Sequence, residues 1–381
     1  MTSFRSAVVL ILLAAPRFVF GLTDGVTLSE GAPSSVGMSE AVLRAGVALF
    51  EEAVERDDLK GAVLLVARRG TVVLFEPVGT RNEQAGLPME KDTHFRMASN
   101  TKPVVATAIL MLEEDGKLAV EDLVRQHIPS WDNYRAGFIT IRHLLTHTSG
   151  LRIPTLFLDP ILNKSEICPD GPCLVAEASR FGEVGAEVPP GTTYSYNNPG
   201  YNTLGALIEL ASGKRLDVFL KERLYDPLGM NDSYNHESVA PAEKMGRVYR
   251  REDGVWKVSW SPGDGPDVPF PRASGGMIST AWDYAKFCQM VLNGGTYGGE
   301  RLLTRESVAR ATSVQTGLEE RYGFGWSVSP EGVYSHGGSD GTFAWVDPTR
   351  EVVGLIFTQS PGGRLMHESF RKLVEAAIDE E

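Results

Sequence analysis

Three cysteines in 381 residues are too few to build a disulfide scaffold. Basic residues form no run, and 37 Lys and Arg stand against 49 Asp and Glu for a net charge of −12. That balance excludes a nucleic-acid face, whose phosphates require clustered cations. No stretch reaches the ~20 consecutive apolar residues of a membrane-spanning helix. There is no internal repeat and no low-complexity segment. Neither a Gly-x-Gly-x-x-Gly turn nor a phosphate-binding loop occurs, so no cofactor is implied. What is present is ordinary for a folded chain, 42% apolar and 23% charged residues. A single core stops growing at roughly 250–300 residues, so two lobes are expected.

Residues 1–21 read as a secretory signal, with Arg5 before an uncharged apolar run and small residues Val19 and Gly21 ahead of a cut. Pro16-Arg17 interrupt that pattern. The segment predicts export, to the periplasm or outside the cell. Export would favour a disulfide between Cys168 and Cys173 across Pro169-Asp170-Gly171-Pro172, whereas a reducing compartment would leave two loop thiols. Cys288 lies in an apolar helical run and reads as a core residue.

Leu43, Val47, Phe50 and Val54 recur at helical spacing. Residues 62–67 and 71–75 form β-like runs joined by Arg69-Gly70, a hairpin signal. Helical text dominates from 104 to 224, strands return at 341–346 and 352–358, and a helix closes the chain over 365–378. Strands at both ends with helices between predict an α+β fold, its sheet mainly antiparallel and flanked by helices, with an inserted helical domain. The expected sheet domain comprises 22–115 and 270–381, and the mostly helical domain 116–269.

Chemistry concentrates in three patches. Ser99 and Lys102 stand three apart, so on a helix the amine reaches the hydroxyl and can take its proton. Pro103 fits a first helical turn, which places Ser99 at a helix N-terminus. A second Ser-x-x-Lys, Ser369 to Lys372, lies in a charged helix and reads as a solvated face. In the second patch Tyr196 and Asn198 point the same way from an extended segment, where a phenol can move a proton and an amide can hold a carbonyl. Asn198 before Pro199 also reads as a helix N-cap. Tyr194 and Tyr201 read as packing residues. In the third, His336-Gly337-Gly338-Ser339 opens a β-like run whose glycines admit a ligand to backbone N–H groups.

The order and spacing of these patches, with Thr146-His147-Thr148-Ser149-Gly150 between the first two, resemble the penicillin-recognising serine hydrolases. That superfamily includes class C β-lactamases, serine DD-peptidases, D-aminopeptidases and β-lactamase-like esterases. Segments 139–151, 226–230, 274–283 and 322–326 extend the resemblance over nearly the whole mature chain. It implies that Ser99 is acylated and Lys102 is its partner, with Tyr196 and Asn198 forming the Tyr-x-Asn element. It implies further that His336, Gly337 and Gly338 form the third box, and that the N–H groups of Ser99 and Ser339 form the oxyanion hole. Two departures stand out. Asn197 replaces the commoner serine inside the second box, and His336 stands where class C β-lactamases carry lysine, which weakens any fixed cation for a substrate carboxylate.

The resemblance implies DD-peptidase- or β-lactamase-like hydrolysis of an amide or ester in a small molecule or peptide, through a Ser99 acyl-enzyme. A short-chain carboxylesterase is the alternative within the class, and a module that is acylated without turnover is the alternative outside it. Substrate choice is expected to rest on loops within 153–190. Two rival constellations are weaker. Gly337-Gly338-Ser339-Asp340-Gly341 spells a nucleophile elbow but leaves too little chain for the strands, helices and acid that must follow. His143 and His147 have metal-ligand spacing without the metalloprotease glutamate, so a structural helix end is expected there and no metal.

Overall fold

The computed structural model describes residues 25–378 except 153, 267, 362 and 363. The expected signal segment lies outside the described residues. The main sheet contains β1 (Ser29–Glu30), β2 (Gly61–Arg68), β3 (Thr71–Asn82), β4 (Ser327–Val328), β5 (Tyr334–Gly337), β6 (Phe343–Asp347) and β7 (Val352–Thr358). Its order is β1-β3-β2-β7-β6-β5-β4, with the short strand Leu87–Pro88 added on β3.

Both chain ends meet in the middle of this sheet. β2 pairs antiparallel with β7, Ala62 opposite Thr358 and Arg68 opposite Val352. All eight residues of β2 are buried, as an unbroken apolar run requires. Successive side chains alternate in direction, so the run feeds two cores. Ala62, Leu64 and Val66 pack beneath α1 (Glu40–Glu55) and α7 (Arg364–Ala376), whereas Val63, Leu65 and Ala67 face α2 (Thr101–Glu114) and α6 (Ala281–Leu292). The second cluster continues through α2 into α4 (Leu174–Val184) and α5 (Asn198–Ser212).

The β2–β3 turn forms as expected. Arg69 and Gly70 have φ of 52° and 80°, the paired positive values that match strand twist in a two-residue hairpin. Three features go beyond the expectation. β1 joins β3 in parallel, because a segment remote from any hairpin supplies it. The expected mostly helical stretch also holds a β-hairpin, Val248–Glu252 with Val255–Trp260. Its signal was Asp253-Gly254, both at positive φ. Every residue of α2 from Thr101 to Leu112 is buried, because it runs between sheet and helices and has no solvent face.

Cys168 and Cys173 are disulfide-bonded, and Cys288 is fully buried in α6. Ser369 and Lys372 are exposed on α7, as a solvated face requires. Among the described residues no helix is long and apolar enough to cross a membrane.

Phe370 anchors α7, its ring edge-on to Phe50 at 5.4 Å and to Trp345 at 6.1 Å. Phe370→Ala should lower unfolding free energy by about 3–5 kcal/mol in urea titrations. The neighbouring exposed change Ser369→Ala should stay within about 0.5 kcal/mol.

Candidate active site

Ser99 sits in a tight helical turn, Ala98–Asn100, that runs directly into α2. Ala98 holds a φ of 45°, a left-handed value costing a non-glycine residue about 1–3 kcal/mol. Side chains fix that turn from several sides. Thr101 Oγ1 donates to the Ala98 carbonyl at 2.7 Å and accepts from the Met277 N–H at 3.0 Å. Asn100 Nδ2 donates to Thr342 Oγ1 at 2.9 Å, which itself donates to the Met97 carbonyl at 3.0 Å. The Tyr284 hydroxyl donates to the Asn100 carbonyl at 2.9 Å.

One turn along, Lys102 is fully buried. Its Nζ lies 3.0 Å from Ser99 Oγ, 2.9 Å from Asn198 Oδ1 and 2.8 Å from the Ser274 carbonyl. Burial, then the positive charge of Arg272, hold its pKa well below the usual lysine value. A neutral amine has two N–H donors and one lone pair. Asn198 and Ser274 can only accept at these atoms, so they take the two hydrogens and the lone pair faces the Ser99 hydroxyl.

Tyr196 projects from the opposite wall with 45% of its surface open. Its hydroxyl is hydrogen-bonded to Ser99, and desolvation pushes its pKa above the ordinary phenol value despite that bond. The Lys102 amine lies 4.7 Å from the Tyr196 ring centroid. The capping role expected of Asn198 belongs to its neighbour. Asn197 Oδ1 accepts the Gly200 N–H at 2.7 Å, while Asn198 is already helical and turns its amide to Lys102. Asn198, the asparagine of the Tyr-x-Asn pattern, therefore faces the reacting groups, and Asn197 holds the helix start.

The third box approaches from β5. Gly338 lies so close that an added Cβ would stand 2.4 Å from the Met97 carbonyl oxygen and 2.4 Å from Thr342 Oγ1. Only glycine lets this strand end reach the Ser99 turn. His336 is buried, its ring 6.3 Å from that of Tyr196. Its Nδ1 faces the Gly337 carbonyl at 2.9 Å and must donate, which leaves Nε2 to accept from the Tyr322 hydroxyl at 3.0 Å. Burial and then Lys102 push its pKa down to about 3, so the residue is neutral and far from being a cation.

A cavity of about 190 Å³ opens over Ser99 and is also lined by Asn198 and Ser339, with Phe157, Phe270 and Arg272 farther out. The structure thus brings Ser99, Lys102, Tyr196, Asn198, Gly338 and Ser339 together. It sets His336 behind them, with exposed Gly337 at the end of β5. Ser339 follows an antiparallel strand and precedes β6, not a helix, which removes the nucleophile-elbow reading.

Sequence reasoning missed His147. Helix α3 (Ile141–Leu145) ends before it, so His143 and His147 share no helical face. His143 Nδ1 instead accepts the Thr140 N–H at 3.1 Å as part of a helix cap. His147 adopts a φ of 60°, and its Nδ1 accepts the Asn197 N–H at 3.0 Å. Its ring lies 4.3 Å from that of Tyr196, fixing the loop that carries the second patch. Ser274, at the start of the matching segment 274–283, places its carbonyl on Lys102.

An antiparallel sheet bearing a serine and a buried lysine at the start of its central helix defines the class C β-lactamase, penicillin-binding protein and esterase superfamily. Residues 47–377 match the Beta-lactamase family, and the chain belongs to it. Esterase EstB of Burkholderia gladioli is 30% identical over 324 residues, 77% of this chain and 81% of its own. Penicillin-binding protein 4 of Amycolatopsis lactamdurans is 28% identical over 302 residues, 74% and 76% of the two chains. Among solved structures, that of EstCE1, a hydrolase with promiscuous acyltransferase activity, has a TM-score of 0.74 at 20% identity. It covers 89% of this chain and 98% of its own, and that likeness concerns the fold.

His336 also carries a pH signature. Unfolded, it binds a proton below its ordinary value of 6.5; folded, only below about 3. The unfolded chain therefore binds more protons between those values, so this residue removes stability as pH falls through that window. His336→Gln should flatten the decline of urea midpoints measured from about pH 7 to about pH 4 relative to the unmodified chain.

Proposed function

We propose that this protein hydrolyses carboxylic esters or amides through an acyl-enzyme on Ser99. The observation that carries the reading is the Lys102 amine, stripped of water and aimed at Ser99 Oγ from 3.0 Å. Serine is a weak nucleophile until a base removes its proton. A lysine whose pKa is lowered by burial supplies that base near neutrality.

In the proposed cycle Ser99 Oγ bonds to the substrate carbonyl carbon while its proton passes to Lys102. The developing oxyanion is held by the N–H groups of Ser99 and Ser339. Tyr196, kept protonated by its raised pKa, gives its proton to the departing alkoxide or amine and recovers one from the Lys102 ammonium. Water then attacks the acyl carbon, losing its proton to Lys102, and the Ser99–acyl bond breaks with return of that proton to Oγ.

Esters are favoured over β-lactams and D-alanyl peptides within this chemistry. The buried, neutral His336 offers no charge to a substrate carboxylate at the third box, and the similarity to Esterase EstB points the same way. Export is proposed on the signal-like segment alone.

Ser99→Ala and Lys102→Ala should each lower ester kcat/KM by about 10⁴-fold or more. Ser99→Ala should also abolish fluorophosphonate labelling, whereas Ser339→Ala keeps its backbone N–H and should still label. A panel of a p-nitrophenyl short-chain ester, nitrocefin and a D-Ala-D-Ala peptide should give the ester the highest kcat/KM. A dominant peptide or nitrocefin rate would overturn the ester preference. One product equivalent followed by no turnover would replace the enzyme with an acylated binding module.

A further inference from the structure

Behind the cleft, Glu177 on α4 is completely buried, 0% exposed. Its Oε2 accepts from Asn202 Nδ2 at 2.8 Å, Asn202 Oδ1 accepts the Ser274 N–H at 3.0 Å, and the Ser274 carbonyl accepts from Lys102 Nζ at 2.8 Å. All four residues are buried, Asn202 at 0% and Ser274 at 4% exposure. A carboxylate withdrawn from water is costly unless its position serves something. Here Oε1 has no hydrogen-bond partner among the described residues, so packing alone does not account for an acid at this place.

We infer that Glu177 and Asn202 are positioning residues that hold the Ser274 carbonyl against Lys102. The inference rests on Lys102 being the base proposed above. Ser274 is gripped on both sides, its N–H by Asn202 and its C=O by Lys102. With Asn198 taking the other hydrogen, the amine has a single orientation, lone pair toward Ser99. Remove the grip and the amine can rotate its lone pair away.

The electrostatics follow from the same placement. Lys102 is faced by Arg272, by the neutral rings of His147 and His336, and by the Tyr196 and Tyr201 rings at 4.7 and 5.4 Å. Glu177 is faced by Arg272 and Arg180. Burial raises the Glu177 pKa, and the Asn202 hydrogen bond and then the two arginines counter that rise. Arg272 thus disfavours the lysine cation at one end of the chain and opposes the rise at the other.

Substitutions at both residues test the grip. Glu177→Leu removes the oxygen to which Asn202 donates and should slow single-turnover acylation by about tenfold, whereas Glu177→Gln keeps an oxygen for Asn202 and should stay within about threefold of the parent. Asn202→Leu breaks the chain with little change in volume, and the single-turnover acylation rate should fall by about tenfold or more with KM little changed. Lowered thermal midpoints with an unchanged acylation rate in Glu177→Leu and Asn202→Leu would reduce both residues to scaffolding and overturn the inference. Failure of the underlying reading is seen separately, as acylation that survives Lys102→Ala.

Discussion

Much of this molecule depends on keeping one amine dry. A lysine ammonium taken from water costs several kcal/mol even after the protein relaxes around it, and Lys102 meets that cost by giving up its proton readily. It stays in place because Asn198, Ser274 and Ser99 each present an oxygen at hydrogen-bond distance. The burial is produced by α2 as a whole. A helix with no solvent face must lie between two layers, and the sheet below and α5 above are those layers. Packing that excludes water from the helix also lowers the affinity of Lys102 for its proton.

The cleft needs contributions from distant parts of the chain, and the sheet delivers them. β2 and β7 pair over seven residues, fixing the C-terminal strands relative to the loop that leads into α2. β5 then lies two strands away, and Gly338 at its end closes on the Met97 carbonyl beside the Ser99 turn. The second wall comes from the loop before α5. Its conformation is set by His147, which accepts the Asn197 N–H and packs its ring against that of Tyr196. Each wall is held by residues outside the reaction, so the site is a product of its supports as much as of its reactive groups.

Several of these elements were legible as text. The period-two and unbroken apolar runs gave β2, β3, β6 and β7, because strand burial leaves a regular trace. Ser99 and Lys102 were legible because helical spacing alone brings them together. The parallel β1 and the hairpin at 248–260 were less so: the first has only two paired residues, and the second is charged and largely exposed. The Tyr-x-Asn spacing singled out Asn198 for the site, but which asparagine caps α5 was not legible, since either can cap a helix.

Local spacing determined the sheet of two ends, the helix carrying Ser99 and Lys102, and the family likeness, because these are properties of neighbours in the chain. Tertiary structure alone decided that Lys102 would be buried, that His336 would face inward and uncharged, and that Glu177 would reach the site through Asn202 and Ser274. Desolvation and long-range hydrogen bonds depend on which surfaces close over a group, and residues 25, 72 and 172 positions apart leave no periodic mark of their contact.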